Sequence, residues 1–384
     1  MNAFAVATAA LAGASLLQML VGYRNVRRFA SSPAPNPSDR PPVTILKPLH
    51  GAEPMLEQAL ATVCTQRYPA YQVVFGVQNA ADPALGVVER LRARFPDCDI
   101  AAVVDATAHG ENRKIGNLIN MLPAAKHDVL VIADSDVHCA PDFLDRVAAT
   151  LALPGTGLVT TLYAGLAATP SLAGRLGATW ITHNFLPGAL TARALGRQDC
   201  LGATMTLRRE TLASIGGLQA LADHLADDHV LGRLVQERGL AVRLAATVPA
   251  TTVGEATLSA LFRHELRWAR TIRSLVPVSF VLSALQYPLF WAALALALSA
   301  GADWALALFF LAWLLRAAAA RGIDTALGLA RAGLATPAPI WLLPVRDLMS
   351  IIVLLTSFAS DRVEWRGQVL HAGSYRRVLG IGRS

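Results

Sequence analysis

Hydrophobic and polar positions change their pattern twice along this chain. Residues 3–22 are a nearly unbroken apolar run of about 20 residues, long enough to span a bilayer. From Pro42 the pattern becomes short apolar runs alternating with amphipathic stretches, and long apolar stretches return near 277–299, 303–320 and 339–359. The middle section predicts strands at Val43–Leu46, Tyr71–Val77, Ile100–Val104 and Val129–Ala133. Between them it predicts helices near 54–64, 83–95 and 114–121. Such strand-helix alternation implies a mostly parallel sheet with helices on both faces, a Rossmann-like α/β half. Further on come a strand at 157–161, a helical stretch through Trp180, a small-residue strand at 200–207, and helices opening at Arg209 and Ala226.

Five parts follow: an N-terminal anchor (1–30), an α/β domain (41–257), an amphipathic interface helix (258–275), C-terminal membrane segments (276–360) and a basic tail (361–384). Ser31–Pro42, rich in Pro and Ser, is a linker. A cleaved signal peptide competes for the first part, with small-residue sites such as Ala7-Thr8-Ala9. No positive charge precedes the run, however, while Arg24, Arg27 and Arg28 follow it directly. The positive-inside rule then puts the amino terminus outside and the α/β domain on the cytoplasmic face of an inner membrane. In 258–274, Leu258, Leu261, Phe262, Leu266 and Ile272 oppose Arg263, Arg267, Arg270 and Arg273, the pattern of a helix lying in the membrane interface, with a solvated helix packed on the α/β domain as the alternative. The next two apolar stretches read as a helical hairpin. The third carries Arg346-Asp347, which is costly in lipid unless the two pair or face protein, so it reads as re-entrant or interfacial.

Composition agrees. Hydrophobic residues make up 54% and charged residues only 16%, too oily for an ordinary soluble chain. The net charge of +7 sits on Arg near the membrane segments, which fits anionic headgroups and a nucleotide rather than nucleic acid. The four cysteines show no CxxC spacing, which points to a reducing compartment and away from structural zinc.

Candidate chemistry gathers where strands end. The apolar run Val129–Ala133 leaves on Asp134-Ser135-Asp136, and ligands of open α/β sheets bind beyond the carboxyl ends of strands. Two acids there can hold Mg²⁺ or Mn²⁺ together with substrate phosphates, or they can simply cap the turn. Asp82 can likewise cap the helix after Pro83, and Asp228 the helix at Val230. His183 and His224 read as structural, and Cys200 as a packed strand thiol. No Gly-x-Gly-x-x-Gly follows the first strand and there is no Walker A motif, which weighs against dinucleotide and P-loop chemistry.

Taken in order, Asp82, Asp134 with Asp136, Asp228 and His264-Glu265-Leu266-Arg267-Trp268 resemble the D, DxD-like, D, (Q/R)xxRW pattern of GT-A glycosyltransferases acting on lipids. The resemblance is closest to the ceramide glucosyltransferase family and its bacterial hopanoid-glycosylating relatives, and it runs from about Thr44 to Arg273. Asn112 to Leu118 resembles the family's Lys-containing segment. His264 departs from the pattern, which has Gln or Arg there.

The resemblance implies a GT-A catalytic domain, a Rossmann-like mixed sheet flanked by terminal membrane helices. It also implies an inverting transfer from a UDP-sugar to a hydroxyl of a membrane lipid. Asp82 would contact the uridine side, Asp134 and Asp136 would hold the divalent metal, and Lys114 would meet the diphosphate. Asp228 would be the general base. Arg267 and Trp268, with His264 beside them, would close over the diphosphate and the acceptor. The stretches 184–187 and 224–228 resemble the hopanoid branch, for which N-acetylglucosamine transfer is expected; ceramide with UDP-glucose is the alternative. A catalytically inactive nucleotide-sugar-binding scaffold is the alternative from another class.

Overall fold

The computed structural model of the 384-residue chain describes residues 2–33, 35, 39–360, 362–365 and 368–371. The chain opens on α1 (Ala3–Ser31), then enters the alternation with β1 (Val43–Pro48), α2 (Leu56–Cys64), β2 (Tyr71–Val77), α3 (Ala84–Arg94) and β3 (Asp99–Val104). It continues through α4 (Arg113–Met121), β4 (Val129–Ala133), β5 (Val137–His138), α5 (Phe143–Leu151), β6 (Thr156–Thr160) and β7 (Ala164–Ala167). Two helices, α6 (Leu172–Trp180) and α7 (Leu186–Ala194), are joined by a π-helical turn at Ile181–Phe185. Then come β8 (Thr204–Arg208), α8 (Arg209–Ser214), α9 (Asp227–Glu237), β9 (Ala241–Leu244) and β10 (Ala250–Val253). The last third is helical: α10 (Leu258–Leu275), α11 (Pro277–Leu282), α12 (Pro288–Leu298), α13 (Asp303–Leu327) and α14 (Leu343–Ser357). A short hairpin, β11 (Arg362–Trp365) and β12 (Gln368–His371), follows. Arg366, Arg376 and Arg377 of the expected basic tail lie outside the described residues.

Two compact units result. The α/β unit comprises Ser32–Ala168 and Leu195–Gly254; the membrane unit comprises Met1–Ser31, Thr169–Ala194 and Glu255–Ser384. The segment 41–257, expected as one domain, is therefore interrupted: residues 169–194 group with the helices of the other unit. Their helical periodicity could not show which core they join.

Among the described residues, the main sheet of the α/β unit has seven strands in the order β3-β2-β1-β4-β8-β6-β9. β3, β2, β1 and β4 run parallel, β8 is antiparallel to β4 and to β6, and β6 is parallel to β9. β1, β4 and most of β2 are buried at every position, as expected of strands covered on both faces. Ile45, Val73, Phe75, Val88, Val131 and Phe143 form the centre of the core. Each such side chain contributes roughly 1.5–3 kcal/mol on leaving water. The small-residue strand begins only at Thr204; Cys200 to Ala203 stay outside it as a loop beside the site. A second sheet, β5-β10-β7, carries Thr251 of β10 opposite Val137 of β5.

In the membrane unit, α1, α13 and the segment 340–357 are long and apolar enough to cross a bilayer. The hairpin expected from 277–299 and 303–320 is only partly formed. α13 is continuous, but the preceding stretch breaks before Pro288, and its two halves are bent by 68°. Proline lacks the N–H that a continuous helix would need there. Small side chains make the contacts: Ala12, Ala292, Ala312 and Ala320 share one cluster with Leu289 and Leu343. A Cβ on Gly322 would come within 2.6 Å of the Tyr23 ring, so α1 and α13 approach closely only because that position has no side chain.

Arg346 and Asp347 are both fully buried, but they do not pair with each other. Arg346 makes a bidentate 2.7 Å pair with Glu265 of α10 and also donates to Ser350 Oγ. Asp347 accepts from the Leu289 N–H and lies 3.6 Å from Arg316. Facing protein rather than lipid is how this segment accommodates its charges.

Candidate active site

The site is built at the carboxyl end of β4. Asp134, Ser135 and Asp136 form the turn from β4 to β5, and each side chain is held by a different element. Asp134 Oδ1 lies 2.7 Å from Lys114 Nζ of α4. Ser135 Oγ makes a short hydrogen bond to Glu53 of the β1–α2 loop. Asp136 Oδ2 accepts from Thr251 Oγ1 of β10 at 2.5 Å. Beneath the turn, the Lys47 ammonium at the end of β1 donates to the carbonyls of Asp134 at 2.8 Å and Val137 at 2.9 Å, with that of Ser135 at 3.5 Å.

Lys114 links two chain segments far apart in sequence, since the same ammonium lies 3.5 Å from Asp227 Oδ2 at the start of α9. Asn112 caps α4 by accepting from the Ile115 N–H and donates at 2.7 Å to the His224 carbonyl. Its own N–H donates to the Ala222 carbonyl at 2.7 Å, so the α4 entry and the loop before α9 are laced together. Asp228 is thereby fixed beside the acidic turn.

A Cβ on Gly202 would sit 2.9 Å from Asp228 Oδ2, so the glycine is what lets the carboxylate stand against the 200–203 loop. His224 takes part here through its backbone carbonyl, which accepts from Asn112. Cys200 is buried, and its Cβ would meet one placed on Gly232.

Electrostatics separate the acids. Burial, reinforced by Asp227, pushes Asp228 up to about 7, against the opposing pull of Lys114. Burial and the neighbouring Asp134 push Asp136 up to about 6. Lys114 is raised: burial disfavours its charge, but Asp134 and Asp227 outweigh that. Lys47 is lowered by burial.

Asp82 lies in the loop between β2 and α3. Both its oxygens accept from the Gly51 N–H, at 3.0 and 3.1 Å, and Oδ1 also accepts from the Ala84 N–H at 2.9 Å. It therefore caps α3 and pins the same β1–α2 loop that carries Glu53.

His264, Arg267 and Trp268 belong to the membrane unit. There His264 Nδ1 makes a short hydrogen bond to Glu255, and its ring lies edge-on to Trp268 at 4.4 Å. Trp268 also packs on Trp180 at 5.5 Å. The buried residue of this motif is Glu265, the partner of Arg346.

Sequence reasoning passed over Lys47, Glu53, Thr251 and the bridging role of Asp227. Only Lys47 carried a local signal, a lysine closing the apolar run Val43 to Leu46.

Among the described residues, no group of three or more His, Cys, Asp and Glu is gathered as a metal cage. Asp134 and Asp136 nevertheless suit Mg²⁺ or Mn²⁺, which bind through one or two carboxylates and take their other oxygens from water and substrate phosphate. Burial first and the charge of Asp134 second raise Asp136, and a cation would relieve the repulsion between the two acids.

Mixed sheet order, the acidic turn after the fourth strand and the acid at the α9 start define a glycosyltransferase of GT-A fold. A mannosyltransferase from Pyrobaculum calidifontis, solved with GDP-mannose and Mn²⁺, shares this fold: TM-score 0.50, 21% identity, covering 92% of this chain and 99% of that one. The chain belongs to glycosyl transferase family 21, whose model matches residues 6–378. Ceramide glucosyltransferase 1 of Caenorhabditis elegans is 22% identical over 278 residues, 71% of this chain and 58% of that protein. The ceramide glucosyltransferase of Komagataella phaffii is 34% identical over 109 residues, 27% of this chain and 21% of that protein. The matched regions thus span little more than half of the first of these relatives, and a fifth of the second.

Proposed function

We propose that this membrane protein transfers a sugar from a UDP-sugar to a hydroxyl of a membrane lipid by inverting single displacement, with the α/β unit on the cytoplasmic face of an inner membrane. The observation that carries the reading is Asp228. It is a carboxylate raised to about 7, lodged against Gly202 and laced through Asn112, Lys114 and Asp227 to the acidic turn. A general base works best when its pKa lies near the operating pH, and this one does.

In this reading Asp228 removes the acceptor hydroxyl's proton as the oxygen attacks the anomeric carbon and the bond to the nucleoside diphosphate breaks. Asp134 and Asp136 would hold the divalent cation, which when bound would supply positive charge to the departing diphosphate. Lys114, already on Asp134, is placed to share its charge with the same phosphates. Asp82 secures the β1–α2 loop on the nucleoside side. Arg267 and Trp268 are proposed to bind the diphosphate and the acceptor headgroup.

Two acceptors are proposed. The curated relatives are ceramide glucosyltransferases, which favours ceramide with UDP-glucose. The residue pattern at 184–187 and 224–228 favours the polyol side chain of a hopanoid with UDP-N-acetylglucosamine. Purified chain in nanodiscs, incubated with each UDP-sugar and each lipid, should yield a new glycolipid by mass spectrometry in one pairing. UDP binding without any glycolipid from either lipid class would favour the inactive scaffold.

A further inference from the structure

Lys47 ends β1 with no exposed surface, in a strand whose six positions are all buried. An ammonium is tolerated in such surroundings only if its three protons find acceptors. They find them in one turn: the carbonyls of Asp134 (2.8 Å), Val137 (2.9 Å) and Ser135 (3.5 Å) converge on Nζ. Backbone carbonyls that gather on one point are otherwise a device for binding a small cation; here the cation is tethered to the neighbouring strand.

The side chains of the same turn are bonded to other elements: Asp134 to Lys114, Ser135 to Glu53 and Asp136 to Thr251. Three elements thus hold the side chains of the turn from outside. Its backbone is held by the Ala203 carbonyl on the Asp134 N–H, by Thr252 on the Asp136 carbonyl, and by Lys47, whose single ammonium gathers the Asp134, Ser135 and Val137 carbonyls from within. An uncharged side chain of the same length would take the ammonium away from all three carbonyls, leaving that of Asp134 only its 3.3 Å bond from the Val137 N–H, and the turn would have to shift to recover the lost hydrogen bonds.

We propose that Lys47 is a positioning residue for the transferase: its ammonium folds the Asp134–Val137 turn and so fixes the spacing and direction of the Asp134 and Asp136 carboxylates toward a divalent cation and a nucleoside diphosphate. This rests on the reading above that the two acids hold the metal. Lys47 itself touches neither metal nor substrate.

The test is Mn²⁺ titration of the full chain in nanodiscs with saturating UDP, read by electron paramagnetic resonance and paired with the KM for Mn²⁺ and kcat. Lys47→Met should raise the Mn²⁺ dissociation constant at least tenfold. The control is Val88→Ala, a core truncation on α3 remote from the turn, which lowers thermal stability but should leave Mn²⁺ affinity within twofold of wild type. Equal affinity in Lys47→Met and wild type overturns the proposal, as does an equal loss in Val88→Ala. Should Lys47→Met fail to fold, Lys47→Arg decides: a bulkier fork must re-space the carbonyls, so at least a threefold rise is expected and an unchanged constant overturns the idea. Wild type that binds no Mn²⁺ with UDP present removes the metal reading and this one together, whereas binding matched by Lys47→Met removes this one alone.

Discussion

Asp228 stands near neutrality because burial and Asp227 penalise its charge more than Lys114 relieves it. A base acts only when deprotonated, so kcat should climb as pH rises through about 7 and level off above. Gly202 offers a second test at this scale. The missing Cβ is what allows Asp228 Oδ2 its position, so Gly202→Ala should displace the carboxylate while leaving the fold intact. Misplacement of a catalytic group by about 1 Å can cost on the order of 10²-fold, so a 10- to 100-fold drop in kcat with little change in UDP affinity is expected. Unchanged kcat would mean that the carboxylate does not act where it stands.

The acids themselves were legible in the sequence, because Asp134, Asp136 and Asp228 sit at the ends of periodic segments. Lys47, Glu53 and Thr251 were not. Their importance comes from strand order and loop packing that pair residues 82 to 115 positions apart at one turn, and no local pattern encodes such pairings.

At the scale of elements, the parallel strands read well, since β-branched apolar runs buried on both faces leave a plain signature. The limits of β2 and β4 agree with the pattern. Other elements were hidden. The stretch 277–298 looks like one span, and only the bend before Pro288 divides it. Residues 169–194 are helical by pattern but join the membrane unit.

Arg346 shows how the third C-terminal segment accommodates charge, through Glu265 of α10. Removing one partner of a buried pair leaves the other stranded, at a cost of about 3–5 kcal/mol, whereas replacing both by apolar residues is often near neutral. Glu265→Met should therefore lower the apparent Tm of the nanodisc-held protein sharply, and Glu265→Met with Arg346→Met should recover most of that loss. A double variant as unstable as the single would show that the pair does not anchor α14.

For the molecule as a whole, the family model over residues 6–378 and the GT-A fold agree with the resemblance to the ceramide glucosyltransferase family read between Thr44 and Arg273. The membrane helices were visible as apolar runs, because roughly 20 such residues have few other uses. Metal dependence belongs to this scale as well. Chelation by EDTA should abolish turnover, and excess Mn²⁺ or Mg²⁺ should restore it; full activity in EDTA would take the metal role from Asp134 and Asp136.

The central claim is that Asp228 is the base of a UDP-sugar-dependent transfer, and single-turnover sugar transfer by wild type and Asp228→Asn across the pH range tests it most directly. Wild type is expected to show a rate rising to a plateau with an inflection near 7; Asp228→Asn should still bind UDP, be slower by roughly 10²–10⁴-fold and lack the inflection. An Asp228→Asn enzyme that transfers sugar at the wild-type rate with the same pH profile would contradict the account.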